Sequence, residues 1–391
     1  MISVEEALAR VLALADRVPE ETVPLALASG RAMTRPAIAG RDQPPFAAAA
    51  MDGYALAGPA RPGDRFNVIG MAAAGHAFQG RIGAGQAVRI LTGAPVPAGA
   101  GRIVIQEDTE AQEGSILLKE GLDSSTHIRP QGQDFRAGDS LPPRRLRPHD
   151  LALLAAMNLP AVTVARRPVV ALIATGDELV MPGETPRADQ IIASNAFALK
   201  AMAESEGAEA RLLPIARDTE AALATVLGLA EGADLVVTIG GASVGDHDLV
   251  GRVAEDLGME RAFYKIAMRP GKPLLAGRLR GVPMLGLPGN PVSAIVCGHL
   301  FLLPMLRAMQ GLPAAPVTRR AVLAVAVAAN GPRRHYMRAR LTAGPALPRV
   351  TPFDSQDSAL LRILTEADAL LIRPANDPAR TAGHEVDCLP L

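Results

Sequence analysis

At 391 residues, 49% of them apolar and 20% charged, the chain exceeds one ordinary core and calls for about two to four domains. Forty basic side chains balance forty acidic ones, so no whole-molecule field favours nucleic acid or an anionic membrane. The two cysteines, Cys297 and Cys388, match neither zinc spacing nor a disulfide framework, and with no tryptophan the cores must be built mainly from aliphatic side chains.

The opening run MISVEEALARVLALADRV is amphipathic and acidic, without the basic-then-apolar profile of a signal peptide. Ser3 and Glu6 form a capping-box pattern that opens a helix to about Val18. From about residue 45 to 140, short apolar stretches (FNVIGM, QAVRIL, RIVIQED, SILLKE) alternate with turn residues, the pattern of a small β-rich domain. RPHDLALLAAMNL then predicts a short helix with Asp150 as its N-cap. Beyond Arg167 the continuous apolar strands VVALIA, ARLLPIA, DLVVTIG and VPMLGL are separated by helices, two of which end at Gly207 and Gly232. Such strands imply a parallel sheet covered on both faces. A long helix from Asn290 closes this region, the linker GLPAAPV follows, and the tail has the residue types of a small β domain. The longest apolar run, around Ala321 to Ala329, is strand-sized, so no bilayer span and a cytoplasmic location are expected. The basic clusters Arg144-Arg145 and Arg333 to Arg340 are expected to be solvated loop faces.

Four polar motifs fall at strand carboxyl ends. Thr175-Gly176-Asp177-Glu178 follows the first strand, Arg217-Asp218-Thr219 the second, the run from Gly240 to Asp248 the third, and Pro288-Gly289-Asn290-Pro291 the last. That edge is where open α/β sheets bind ligands. Each motif alone has a structural reading as a turn or cap, Asn290 with Pro291 being an N-cap and N1 pair; their joint placement points to a site. Loop amides and helix ends at Ser243-Val244-Gly245 and at Asn290 suit a phosphate or similar oxyanion. Lys265, Arg269 and Lys272 add cations, while Glu178, Asp218 and Asp248 would repel an anion unless a divalent cation such as Mg²⁺ joins it. His247 is the one histidine within the candidate site, and a solvent-facing loop role suits it as well as a catalytic one. No Walker, Rossmann, nucleophile-elbow or HExxH pattern occurs, so a protein nucleophile is not indicated.

Seven segments, taken in order, resemble the molybdopterin molybdenumtransferase family, the MoeA proteins of bacteria, also similar to the E domain of gephyrin. They are PPFAAAAMDGYAL (44–56), VRILTGAPVPAGA (88–100), IRPQGQDFRAGD (128–139), ATGDEL (174–179), GGASVGDHD (240–248), MRPGKP (268–273) and LPGNPVSA (287–294). The resemblance implies an α/β plus β multidomain chain. Its parts are a discontinuous helical linker domain (1–44 and 139–166), a β-rich domain (45–138), a doubly wound, molybdopterin adenylyltransferase-like domain (167–313) and a C-terminal β barrel (314–391). It implies an elongated homodimer whose cleft lies between the doubly wound domain of one subunit and the β domain of the other. Transient contact with the molybdopterin adenylyltransferase and with apo-molybdoenzymes is also implied. The implied reaction inserts molybdenum from molybdate into adenylylated molybdopterin and releases AMP, assisted by Mg²⁺ on Glu178, Asp218 and Asp248.

By the same resemblance, Asp52, Thr92 and Asp134 are catalytic positions on the β-domain side, and Glu178, Asp218, Asp248, Lys265 and Arg269 on the other. Thr175, Gly176, Gly240, Gly241, Ser243, Gly245, Lys272, Pro288, Asn290 and Pro291 hold the ligand, and Arg338 with Ser358 contributes a small oxyanion pocket. The chain departs from the family at Ala47, Ala48 and Ala49, where Asp-Asn-Ser is common, at Arg269 for lysine, and at Asp368 for asparagine. Two competing readings are an adenylyltransferase or nucleotide hydrolase on a related ligand, and a non-catalytic gephyrin-like scaffold. The β-domain motifs with Asp52 and Thr92 weigh against the first, and the retained carboxylates against the second.

Overall fold

A computed structural model describes residues 1–241 and 249–391. The chain divides into two compact units, one of residues 22–29 and 35–163, the other of residues 1–21, 30–34 and 164–391. The division runs through both segments of the expected linker domain.

The smaller unit is built on a six-stranded sheet in the spatial order 102–105, 53–56, 86–90, 65–72, 115–118, 109–112. Aliphatic side chains fill it on both faces, with Ile90 and Ile103 in one cluster and Leu56, Phe66 and Ile116 in another. Gly53 lets strand 53–56 approach its neighbour, since a Cβ there would lie 2.0 Å from the Val104 carbonyl oxygen. This close approach fixes the chain directly after Asp52. The helix predicted near residue 148 runs Pro148–Ala156. Asp150 is not its N-cap: Arg147 takes that place, Pro148 starts the helix, and the Asp150 carboxylate reaches back to accept from the Arg147 amide at 2.9 Å. Proline's fixed φ favours the first helical position, which sets the start earlier than the aspartate alone suggests.

The larger unit contains the doubly wound sheet, with strands β1 (Val169–Ala174), β2 (Glu209–Leu212), β3 (Leu235–Ile239), β4 (Met259–Tyr264), β5 (Leu275–Leu279) and β6 (Val282–Leu287). Their order is β2-β1-β3-β6-β5-β4. The first four run parallel and the last two are antiparallel additions. Every residue of β1 and β3 is buried. Along β1, Val170 and Leu172 enter one core while Val169, Ala171 and Ile173 enter the other, as the period of two requires when both faces are covered. The N-terminal helix, Val4–Ala13, has its Ser3 hydroxyl accepting from the Glu6 amide at 3.1 Å and buries Val4, Ala7 and Val11 in the first of these cores.

The closing helical run, Pro291–Met309, is long and apolar enough to cross a bilayer by length and composition, which corrects the expectation that no run is. It is nonetheless 78% buried within the protein, as the core helix of this domain. Cys297 lies on it, fully buried, and burial pushes its thiol up.

Strands β7 (Arg319–Leu323), β8 (Arg334–Thr342), β9 (Arg349–Pro352), β10 (Ala369–Arg373) and β11 (Glu385–Pro390) follow. Their order β8-β9-β7-β11-β10 closes through β10 on β8 into a five-stranded barrel. The run from Arg333 to Arg340 is therefore mostly a barrel strand and not a solvated loop face. Arg338 is 1% exposed, Arg334 pairs with Glu5, and Arg340 pairs with Glu366. A short strand, Met268–Arg269, pairs in parallel with Arg334–His335 of β8.

Candidate functional site

The carboxyl edge of the sheet is tied together by backbone bonds between strand ends. The Thr175 amide donates to the Ile239 carbonyl at 3.0 Å, Gly176 to Ala216 at 3.0 Å, and Gly240 to Leu287 at 3.0 Å. At Gly240 the backbone takes φ +94° and a Cβ would meet the Thr175 carbonyl oxygen at 2.8 Å, so the edge closes only with glycine there. Asp177 and Asp218 join the first two loops reciprocally: the Asp218 amide donates to Asp177 Oδ1 at 3.1 Å and the Asp177 amide to Asp218 Oδ2 at 3.3 Å. Arg217 completes the tie by donating from Nη1 to the carbonyls of Gly176, Asp177 and Leu179 at 3.3, 3.1 and 2.9 Å.

Three adjoining cavities follow this edge. The first, about 310 Å³, is lined by Thr175, Gly176, Glu178, Asp218, Gly241 and Arg252 among others. The second, about 540 Å³, shares Thr175, Glu178 and Gly241 with it and adds Ile191, Ile192, Asn195 and the segment Pro288 to Pro291. The third, about 490 Å³, shares Pro273 and Asn290 with the second and is lined by Arg269, Lys272, Ser293, Arg333, Asp357 and Ser358. The trench thus runs from a carboxylate end, through a middle of glycines and apolar side chains, to a cationic end.

At the cationic end Asn290 holds the barrel loop. Its backbone occupies the N-cap position, but its side chain makes no capping bond and donates instead to Ser358 Oγ at 3.1 Å. The Val292 amide donates to the Ser358 carbonyl at 3.1 Å. Arg338 does not line the cavity. Its guanidinium lies behind the loop and donates to the carbonyls of Asp357, Leu360 and Ser355 at 2.8, 3.4 and 3.4 Å. Lys265 lines none of the three cavities; it takes φ +72° and sets its ammonium 4.9 Å from the centre of the Tyr264 ring.

Asp52, Thr92 and Asp134 belong to the other unit. Thr92 donates to Asp52 Oδ1 from both its amide and its hydroxyl, each at 2.7 Å, and these two donors hold the Asp52 carboxyl below its ordinary range. Asp134 is exposed, with its amide on the Gln43 carbonyl at 2.9 Å. Next to Asp52, Ala48 and Ala49 form a short strand paired with Ile128–Arg129, so backbone bonds fix the segment without the usual polar side chains. Ser243, Gly245, Asp248 and His247 lie outside the described residues.

Sequence reasoning missed Arg217 as the loop anchor, Arg333 on the cationic wall, and Ile191, Ile192 and Asn195 in the middle. Asn195 opens helix Asn195–Ser205 and donates from its amide to the Gly289 carbonyl at 2.7 Å. An asparagine after Ser194 at a helix start was its available signal. Among the described residues no three or more His, Cys, Asp or Glu side chains are grouped to share a metal ion. Glu178 and Asp218 nevertheless line one cavity, a donor set that fits magnesium, which needs only one or two carboxylates beside waters and phosphate oxygens.

Fold and site together define a multidomain α/β protein with a ligand trench along the carboxyl edge of a doubly wound sheet. The family descriptions "MoeA N-terminal region (domain I and II)", "Probable molybdopterin binding domain" and "MoeA C-terminal region (domain IV)" match residues 2–158, 171–308 and 320–391. The chain is 34% identical over 385 residues to molybdopterin molybdenumtransferase 2 of Mycobacterium tuberculosis, covering 93% of each chain. It is 35% identical over 304 residues to a molybdopterin molybdenumtransferase of a Nostoc species, covering 75% of this chain and 70% of that one. A crystal structure of a molybdopterin biosynthesis MoeA protein from Pyrococcus horikoshii superimposes with a TM-score of 0.81 at 30% identity, over 100% of this chain and 99% of that one. The chain belongs to the molybdopterin molybdenumtransferase (MoeA) family.

Proposed function

We propose that the protein is a transferase of molybdenum cofactor biosynthesis that inserts molybdenum from molybdate into adenylylated molybdopterin and releases AMP. The observation that carries this reading is the polarity of the trench: two carboxylates at one end, glycine loops in the middle, and Arg269, Lys272 and Arg333 at the other. A pyrophosphate-linked ligand suits the middle, where helix Asn195–Ser205 begins and Gly240, Gly241 and Gly289 line the wall. The cationic cavity with Ser358 suits molybdate, a tetrahedral dianion.

In this reading Mg²⁺ is held by Glu178 and Asp218, with Asp248 added, and supplies charge neutralisation at the diphosphate. The chain's own work is positioning. Gly240 and Gly241 let their loop close against Thr175, Arg217 fixes the carboxylate loop, and Asn290 fixes Ser358 against the cationic wall. Asp52, with Thr92 keeping it ionised, and Asp134 are supplied by the second copy of a cytoplasmic homodimer.

The test is to incubate the purified protein with adenylylated molybdopterin, molybdate and Mg²⁺, following AMP release and reconstitution of an apo-molybdoenzyme. Both products are expected. AMP without usable cofactor would identify a nucleotide hydrolase, and absence of turnover and of ligand binding would identify a scaffold. Light scattering in solution checks the dimer.

A further inference from the structure

His335 does not line the cationic cavity itself, but its place on β8 and the strand pairing set it beside two residues that do, Arg333 and Arg269. It is 7% exposed, and its Nε2 is buried with no partner. In the parallel pairing of the short strand with β8 it lies opposite Arg269, and in the antiparallel pairing of β8 with β10 opposite Arg373. Four arginines press on it: Arg269 and Arg333, which line the cavity, Arg338 on its own strand, and Arg373 on the next.

These four are not equivalent. Arg338 is spent on three carbonyls and Arg373 on Asp377, so their charges are already engaged. Arg269 and Arg333 have no ion pair among the described residues, and Lys272 stands on the same cavity wall. Burial first, and then the charges of Arg269, Arg338, Arg373 and Arg333 in that order, hold the imidazole neutral, its pKa pushed down to about 4.

We propose that His335 is a proton-linked positioning residue of this cavity: it takes up a proton from solvent when a tetrahedral oxyanion binds beside Arg269, Lys272, Arg333 and Ser358, so the anion is held more tightly as pH falls. The inference rests on the reading of the cavity as an oxyanion site. Its logic is reciprocal linkage. An anion that offsets the arginine field makes imidazolium less costly, and an imidazolium must then strengthen the anion by the same factor. No bond other than N–H forms, and the imidazole becomes imidazolium. One acidic side chain lines the cavity, Asp357, and it supplies the control for the test.

Sulfate is the probe, because it stays a dianion across the range used. Calorimetry between about pH 8 and about pH 5, in buffers of different ionisation heat, should show sulfate binding about tenfold tighter at the acid end with up to about one proton taken up. His335→Gln should bind sulfate with less than about twofold change across the same range, whereas Asp357→Asn should keep the parent's dependence. Sulfate binding that is flat with pH in the parent, or equally pH-dependent in His335→Gln, overturns the role of His335 but leaves the cavity's reading intact. Absence of sulfate binding by the parent at every pH overturns that reading and this inference with it. Should His335→Gln fail to fold, NMR titration of the parent decides: two of the seven histidines, His299 and His335, have their pKa pushed down to about 4, and the one that persists in His299→Gln should rise by about two pKa units at sulfate saturation. No such movement overturns the proposal.

Discussion

Each end of the trench is anchored by an arginine that bonds several backbone carbonyls, yet the two ends are built to different tolerances. At the carboxylate end Arg217 is exposed and ties Gly176, Asp177 and Leu179 from the solvent side. At the cationic end Arg338 is 1% exposed and ties Ser355, Asp357 and Leu360 from a strand face that their loop covers. Water can replace a lost partner in the first case and not in the second, so the same device gives an adjustable loop in one place and a fixed one in the other. The difference suits the ligands proposed. A metal with its waters needs carboxylates that can shift, whereas a small oxyanion is selected by donors that cannot.

The largest effect is therefore expected at the buried anchor. Arg338→Ala strands three carbonyls and opens a void beneath the loop from Ser355 to Leu360, and should cost about 3–5 kcal/mol of stability, read by chemical denaturation, together with sulfate binding at the cationic cavity. A loss under about 1 kcal/mol would show that the loop from Ser355 to Leu360 is held by other contacts. Gly240→Ala comes next. Its Cβ would sit 2.8 Å from the Thr175 carbonyl oxygen in a backbone of φ +94°, which forces apart the loops that follow the first and third strands. A destabilisation of about 1–3 kcal/mol with loss of turnover is expected, and a fully active variant would mean that the strand ends need not touch.

The same contrast of burial governs pH. The side chain of Asp150 is 4% exposed, and its pKa is lowered to about 2, first by the Arg147 side chain and also by the Arg147 amide. A carboxylate whose folded pKa lies below its unfolded value adds stability above the unfolded pKa, near 4, and loses it as pH falls toward 2. Arg147 itself is exposed, so solvent screening trims the gain. Asp150→Asn should thus cost about 1–2 kcal/mol at neutral pH, and the gap to the parent should close progressively between about pH 4 and about pH 2. A constant gap across that range would assign the cost to packing rather than to charge.

Much of this arrangement was legible in the sequence, because its signals were local. Continuous apolar strands with helices between them gave the doubly wound sheet. Glycine and acidic motifs at strand ends marked the edge on which Thr175, Glu178, Asp218, Gly240 and Asn290 all lie. The anchors were harder to see. Arg338 and Arg340 are two residues apart and so share one face of their strand, and only the cover differs: the loop from Ser355 to Leu360 buries the first, while the second lies exposed beside Glu366. Asn290 carried an N-cap signature, but the barrel loop competes for its side chain and Ser358 wins. Ile191 and Ile192 follow a polar run rich in proline, so no periodicity marked them as the apolar wall of the middle cavity.

Arg217 gives the smallest effect on stability and the sharpest test of the contrast. Its three bonds are single-atom donations to carbonyls that solvent can reach, so Arg217→Ala should lower stability by less than about 1 kcal/mol. Turnover should fall further than stability, by about tenfold or more, because the loop carrying Glu178 loses three of its side-chain bonds and spends less time in the reacting geometry. Arg217→Lys should recover part of the loss, since all three bonds come from the one atom Nη1 and an ammonium also offers three donors. Raising Mg²⁺ should partly restore the alanine variant's rate if the loop is merely loosened, for the ion itself would then draw Glu178 and Asp218 together. A variant as unstable as Arg338→Ala, or one with parental turnover, would show that exposure does not separate the two anchors.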